Sequence, residues 1–292
     1  MRIPMNILLC SPLWAVRDEV AQLIAFHLSN DVPDEHKWEA ANPYTQAYGP
    51  GKIAFVPIQG LLSKDGPVWL GSSYDGISRA VENAAADSEV KHIVLCVDSP
   101  GGEVRGCPET AAVIAKAAKV KPVSAIVEGA SASAAYWLTS QATDITVTPS
   151  GEVGSVGVKL IHADLSKKME LSGIKVTELT AGTNKADWSP FKPLSEEAAT
   201  TMQTRINAVH TDFLNDISAA RGERASEDIK ANRFGEGKMF SAKDALGHGL
   251  VDAVLSTRDF FRSLAPVVER DSTAFPRAAL YAHLEHLRRR DF

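Results

Sequence analysis

Cysteine is scarce in this chain: Cys10, Cys96 and Cys107 are all that 292 residues contain. An odd number without framework spacing excludes a small secreted domain stapled by disulfides and points to a reducing compartment. No pair of them has the spacing of a metal site. Cys96, inside the apolar run "HIVLCVD", reads as a small core residue. Long apolar runs are missing as well, and none approaches the roughly 20 residues that a membrane span requires. The opening "MRIPMNILLCSPLWAV" imitates a signal peptide, but Pro4, Asn6 and Pro12 interrupt it, and no small-residue cleavage site precedes "RDEVAQL". A cytoplasmic location is expected. Positive charge is not concentrated either. There are 31 basic and 36 acidic residues, a net charge of −5, and no basic stripe of the kind a nucleic-acid partner needs. The single basic run, Arg288 to Arg290, reads as a solvated helix end.

What is present is ordinary globular material, with 45% hydrophobic residues and length enough for a substantial core. Residues 1–50 read as an appendage. "SPLWAVRDEVAQLIAFHL" has apolar residues at helical spacing after a Ser11-Pro12 start, and the polar, Pro- and Gly-rich stretch behind it reads as a linker. Residues 51–256 read as the main domain. "KIAFVPIQG" (52–60) is a short strand, "GISRAVENAAAD" (76–87) a helix, and "VKHIVLCVDSPGG" (90–102) a buried strand running into a glycine turn. "CPETAAVIAKAAKV" (107–120) is a helix with Pro108 in its first turn. "KPVSAIVEGA" and "DITVTP" are further strands around the helix "SAAYWLTSQA". Residues 194–225 are helical, and "GKMFSAKDALGHGLVDAV" (237–254) gives a short helix and a last strand. Residues 257–292 read as a helical tail. Buried strands alternating with helices imply right-handed crossovers and a mainly parallel sheet covered on both faces.

The chemistry is sought first at "EGASASAAYW" (128–137), where small residues surround two serines. A serine needs a proton acceptor. None of the eight histidines has a recognisable Ser-His-Asp context, and "GASAS" is not the G-x-S-x-G elbow. A triad assembled only by tertiary proximity stays open. The other acceptor is a lysine held neutral in a water-poor setting. Lys185 in "TAGTNKADWSPFKP" (180–193), flanked by Trp188 and Phe191, fits that requirement, although a loop lysine is also ordinarily solvated.

Four motifs stand in a fixed order: "VDSPGGEV" (97–104), "GASASAAYW" (129–137), "PSGEVGSVGV" (149–158) and "AGTNKADWSPFKPLS" (181–195). So arranged, the chain resembles the signal-peptide-peptidase family of Ser-Lys serine peptidases, and within it the phage capsid or prohead maturation branch. "SPLWAV" and the closing "GKMFSAKDALGHGLVDAV" are similar to that branch too. The resemblance implies a crotonase/Clp-protease-like α/β fold of repeated β-β-α units, with a mainly parallel sheet covered by helices. It implies Ser133 as nucleophile, Lys185 as general base, and Ser155 as a hydroxyl that orients the lysine. Gly101 and Gly102 fall at the turn whose backbone N–H helps to hold the oxyanion. Ala134-Ala135 replaces the Gly-Gly that many relatives carry after the serine, which bears on specificity.

The resemblance further implies protein substrates (capsid, scaffold or portal proteins), homo-oligomeric assembly with part of the pocket wall from a neighbour, and neither metal nor other cofactor. It places the protein in the bacterial host cytoplasm or inside the prohead. Plainer roles stand beside these. Ser131 reads as a turn hydroxyl, Asp98 as a turn or cap residue, Ser155 as a cap for a buried backbone group, and Trp137 and Trp188 as core or pocket wall. Two functions of other classes also fit the pattern: a crotonase-type acyl-CoA hydratase or hydrolase, and a catalytically silent assembly protein.

Overall fold

The computed structural model of the chain describes residues 13–16, 52–65 and 71–269. Its centre is a parallel sheet in the order β10-β6-β5-β3-β2, built from β2 (Lys52–Gln59), β3 (Val90–Ser99), β5 (Val123–Ala132), β6 (Asp144–Val147) and β10 (Ala253–Val254). β7 (Glu152–Gly154) adds to the end of β5 in parallel and carries β9 (Met239–Ser241) antiparallel on its other edge. The α/β architecture with a mainly parallel sheet is the one expected.

Alternation along the strands explains why the runs read as continuously apolar. On β2, Ala54, Val56 and Ile58 enter the main core, whereas Ile53 and Phe55 enter a second cluster on the opposite face. The main core is covered by α1 (Tyr74–Ala86), α2 (Cys107–Ala118), α3 (Ala134–Thr139) and α5 (Glu196–Arg221). The second face is covered by α8 (Thr257–Glu269), whose Phe260, Phe261 and Leu264 pack on Phe55, Val94 and Ile126. The first part of the expected tail is therefore a packing layer; residues 270–292 lie outside the described residues.

A second correction concerns the N-terminal segment. Leu13–Val16, expected at the start of a helix, is a strand, β1. It lies between β4 (Gly101–Glu103) and β8 (Lys159–Leu160) in a three-stranded antiparallel sheet of order β4-β1-β8. Pairing on both edges supplies backbone partners that a short segment lacks by itself, and that outweighs a weak helical periodicity. The rest of the expected helix and the linker fall outside the described residues.

Between β8 and α5 the chain makes a long excursion, residues 161–195, containing one short helix, α4 (Ser166–Leu171). His162 Nε2 donates to the Ser189 carbonyl at 2.9 Å, and Leu165 N donates to the Pro190 carbonyl at 2.7 Å, so its two ends are tied together. The His162 ring also meets Trp188 edge-on, with centroids 5.1 Å apart. The closing segment after α5 contains α6 (Glu227–Ala231) and α7 (Ala242–Gly247). It is clamped to α5 by Arg221, which donates to both Asp252 carboxylate oxygens and to the Gly249 carbonyl.

Candidate active site

The site forms where β5 ends. Ser133 sits between β5 and α3 with φ 55° and ψ −120°, the conformation of the first central position of a type II′ turn, which glycine normally occupies. Its neighbours hold it there. Ser133 N donates to the Gly154 carbonyl at 2.7 Å, Trp137 N donates to the Ser133 carbonyl at 3.0 Å, and Ser133 Oγ donates to the Gly157 carbonyl at 3.3 Å. The small residues on either side make the sharp turn possible, and the bulky ones after it fix the helix. Trp137 stacks on Phe213 of α5 with centroids 4.3 Å apart and donates through Nε1 to Asp216; Tyr136 donates its hydroxyl to the Leu250 carbonyl. Thus a strained strand-to-helix elbow exists although the G-x-S-x-G pattern does not. With six residues α3 is shorter than expected, so the N–H groups of its first turn matter more at Ser133 than any macrodipole.

The glycine pair and the serine leave neighbouring strands: β3 and β5 run parallel with Ser99 opposite Ser131, and Gly101 and Ser133 each follow two residues later. Gly101 has φ 98°, in the left-handed region. Gly102 is required for a different reason from the one expected: a Cβ there would lie 1.8 Å from the Leu62 carbonyl oxygen. It is Leu62, not a substrate, that passes too close for a side chain. Leu62 N donates to the Gly101 carbonyl at 2.9 Å, and Glu103 N donates to the Leu62 carbonyl at 2.8 Å. Strand alternation then turns the N–H and C=O of Gly102 to the opposite edge of β4, the edge that faces Ala15 of β1.

Ser155, also at positive φ (54°), donates its backbone N–H to the Lys238 carbonyl at 2.7 Å. That carbonyl ends a run in which Arg233, Phe234, Gly235, Glu236 and Gly237 all have positive φ. The two glycines were the only hint of this support in the sequence. His210 of α5 meets the same wall. Its Nδ1 lies 3.3 Å from Arg233 Nη2, and its Nε2 is buried without a hydrogen-bond partner. Burial, then the charge of Arg233, hold its pKa below the usual value.

Ser131 is not a turn hydroxyl. It is a buried strand residue whose Oγ donates to Thr139 Oγ1 at 2.9 Å. Asp98, expected as a turn or cap residue, lies within β3 and accepts the Ala130 N–H of the neighbouring strand at 3.0 Å.

Lys185 is placed differently from the expectation of a dry setting. It is exposed on the turn of the 161–195 excursion, its backbone N–H donating to the Gly182 carbonyl at 3.2 Å. The apolar neighbours counted on to exclude water belong to a segment without a core of its own. Ile161, Leu171, Ile174, Val176, Leu179 and Phe191 of that segment are all exposed, Leu179 to 94%. Among the described residues no group of three or more His, Cys, Asp or Glu side chains is placed to hold a metal, and no helix is long and apolar enough to cross a membrane.

The chain is thus a parallel α/β domain whose central strand β5 runs into a serine of left-handed backbone. The comparisons narrow this. Peptidase family S49 matches residues 115–269, more than half of the chain, so the chain belongs to that family. The matched span contains Ser133, Ser155 and Lys185 and begins after the glycine pair. The chain is 30% identical over 211 residues to the capsid assembly protease C of Escherichia phage lambda, covering 71% of this chain and 47% of that protein. It is 30% identical over 217 residues to the head-tail preconnector protein GP5 of Enterobacteria phage P21, covering 73% and 42%. The chain thus spans about half the length of the curated relatives it matches. Among solved structures, a membrane-bound stomatin-specific protease is 15% identical with a TM-score of 0.44, covering 72% of this chain and 78% of that one.

Proposed function

We propose that the chain is a serine endopeptidase in which Ser133 is the nucleophile and Lys185 the general base. The observation that carries this reading is Ser133 itself, held by two backbone hydrogen bonds and one from its hydroxyl in a conformation that costs an L-residue about 1–3 kcal/mol. In the reaction, the Ser133 Oγ proton passes to the neutral Lys185 amine as Oγ attacks the substrate carbonyl carbon. N–H groups of the first turn of α3, with that of Gly101, which otherwise donates to Ser99 Oγ at 3.2 Å, stabilise the oxyanion, each such donor typically contributing about 3–4 kcal/mol, while the Gly102 N–H pairs with the substrate main chain. The peptide C–N bond breaks as Lys185 returns the proton to the leaving amine. Water then attacks the Ser133 ester as Lys185 takes its proton, and Lys185 returns that proton to Oγ as the acyl C–O bond breaks. Ser155 orients the lysine.

The exposure of Lys185 sets a condition on this chemistry, because an amine in water stays protonated at neutral pH. The six exposed apolar side chains of the same segment supply the means: a neighbouring copy that covers the 161–195 excursion removes both the apolar surface and the water. The working enzyme is therefore a homo-oligomer. Its substrates are capsid, scaffold or portal proteins in the host cytoplasm or the prohead, a reading that the family resemblance implies and that the name of the capsid assembly protease of phage lambda supports.

A fluorophosphonate probe tests the dyad. Labelling of the wild type that disappears in both Ser133→Ala and Lys185→Ala is expected; labelling that persists in either variant removes that residue from the mechanism. Mass spectrometry of capsid, scaffold and portal proteins after co-expression with the wild type or Ser133→Ala tests the substrate assignment.

A further inference from the structure

β4 and β8 both start close in the chain to the surroundings of Ser133, and the edges they offer to an extended peptide are already taken. One edge of β4 is occupied by Leu62, so only the edge bearing the Gly102 N–H and C=O can accept a strand. β8 begins two residues after Gly157, whose carbonyl accepts the Ser133 hydroxyl. Between them lies β1, antiparallel to both, with Trp14 opposite Glu103, Ala15 opposite Gly102 and Val16 opposite Gly101 on one side, and Leu13 opposite Leu160 and Trp14 opposite Lys159 on the other. Followed from Leu13 to Val16, the strand advances toward Gly101, which lies two residues after Ser99, the partner of Ser131 on the strand that leads to Ser133. A peptide bound by strand addition uses the same main-chain hydrogen bonds, so it cannot share this slot with β1.

We infer that Leu13–Val16 is an intramolecular occupant of the substrate cleft, which a substrate must displace before it reaches Ser133. The inference rests on Ser133 being the nucleophile. β1 is joined to β2 through residues 17–51, a tether of 35 residues. Such tethers give effective concentrations on the order of millimolar. Against cleft affinities within the common range of KM values, that occupancy raises the apparent KM for short peptides roughly tenfold and leaves kcat alone. Selection follows: a loose peptide competes poorly, whereas a substrate held at high local concentration in an assembly displaces the strand.

Two variants of the full chain test this. Ala15→Pro removes the N–H that faces Gly102, and proline is not tolerated in a strand paired on both edges. It is expected to lower KM for a short fluorogenic peptide about tenfold with kcat unchanged. An unchanged or raised KM overturns the inference. The second variant, Trp14→Cys with Lys159→Cys in a Cys10→Ser background, places two thiols on directly opposed residues, within disulfide reach. Oxidation is expected to close the bridge and abolish peptide hydrolysis, and a reductant to restore it. Failure to form the bridge, or hydrolysis that continues once it has formed, overturns the inference. So does an intact-mass measurement showing that the wild type, but not Ser133→Ala, loses its first 16 residues, since β1 would then be a consumed substrate. If no form hydrolyses peptide yet the bridge closes quantitatively, the occupancy stands and the peptidase reading falls.

Discussion

If the Ser133 backbone is held against its own preference, replacing it with glycine should destroy the nucleophile and stabilise the fold at once. The comparison that isolates this is Ser133→Gly against Ser133→Ala. Both variants lose Oγ and its 3.3 Å hydrogen bond to the Gly157 carbonyl, so that loss cancels. Alanine keeps a Cβ at φ 55° and ψ −120°, and with it a cost of about 1–3 kcal/mol, which glycine does not incur. Glycine gives back about 0.5–1 kcal/mol through the greater freedom of its unfolded chain. The net expectation is that Ser133→Gly is more stable than Ser133→Ala by about 0.5–2 kcal/mol. For a domain of this size that is a Tm higher by roughly 1–8 °C. The assay is urea unfolding followed by tryptophan fluorescence, with the midpoint moving and the slope constant. A glycine variant at or below the alanine midpoint would show that the turn is relaxed, and the structural argument for Ser133 would fail with it.

Four further outcomes are expected. Gly102→Ala, which drives a Cβ into the Leu62 carbonyl, should part β4 from Leu62 at a cost of about 3–4 kcal/mol and abolish hydrolysis; wild-type stability in urea would contradict the packing at that point. Leu171→Asp with Leu179→Asp should yield a folded, inactive monomer by light scattering, whereas an active monomer would separate catalysis from assembly. Lys185→Met should be inactive yet unfold at pH 6 within about 0.5 kcal/mol of the wild type, as for other surface substitutions; a clear loss would make the lysine a structural partner.

The fourth concerns His92, whose Nε2 hydrogen-bonds Ser124 Oγ, which in turn donates to Asp144. Burial lowers the His92 pKa, opposed by Asp144. A folded pKa below the unfolded value contributes stability that is full above about pH 6.5 and shrinks as the pH falls from there through the folded value. His92→Gln should flatten that dependence between pH 7 and 5; an identical pH profile would exclude His92 as its source.

The order of strands and helices in the main domain was legible because strands buried on two faces must be apolar throughout and helices on one. "HIVLCV" and "AAVIAKAA" could adopt few other roles. Ser133 was legible for a related reason, since the chain places small residues where backbone, hydroxyl and substrate must crowd together. β1 was not. "LWAV" carries no pattern that overrides the helical spacing behind it, and its strand state exists only because β4 and β8 offer two edges from distant parts of the chain. The need for Gly102 was visible but not its cause, which is a carbonyl some 40 residues away. The left-handed run from Arg233 to Gly237 was hidden for the same reason, as only two of its five residues are glycine.

Local preference and hydrophobic spacing are properties of neighbouring residues, so the sequence by itself determined the sheet, its covering helices and the serine-bearing turn. Close approach, edge pairing and exclusion of water depend on segments far apart in the chain. Only the tertiary structure could therefore decide that Leu13–Val16 is a strand between β4 and β8, that Leu62 sets the shape of the glycine turn, and that Lys185 is exposed in a segment whose apolar side chains are exposed too.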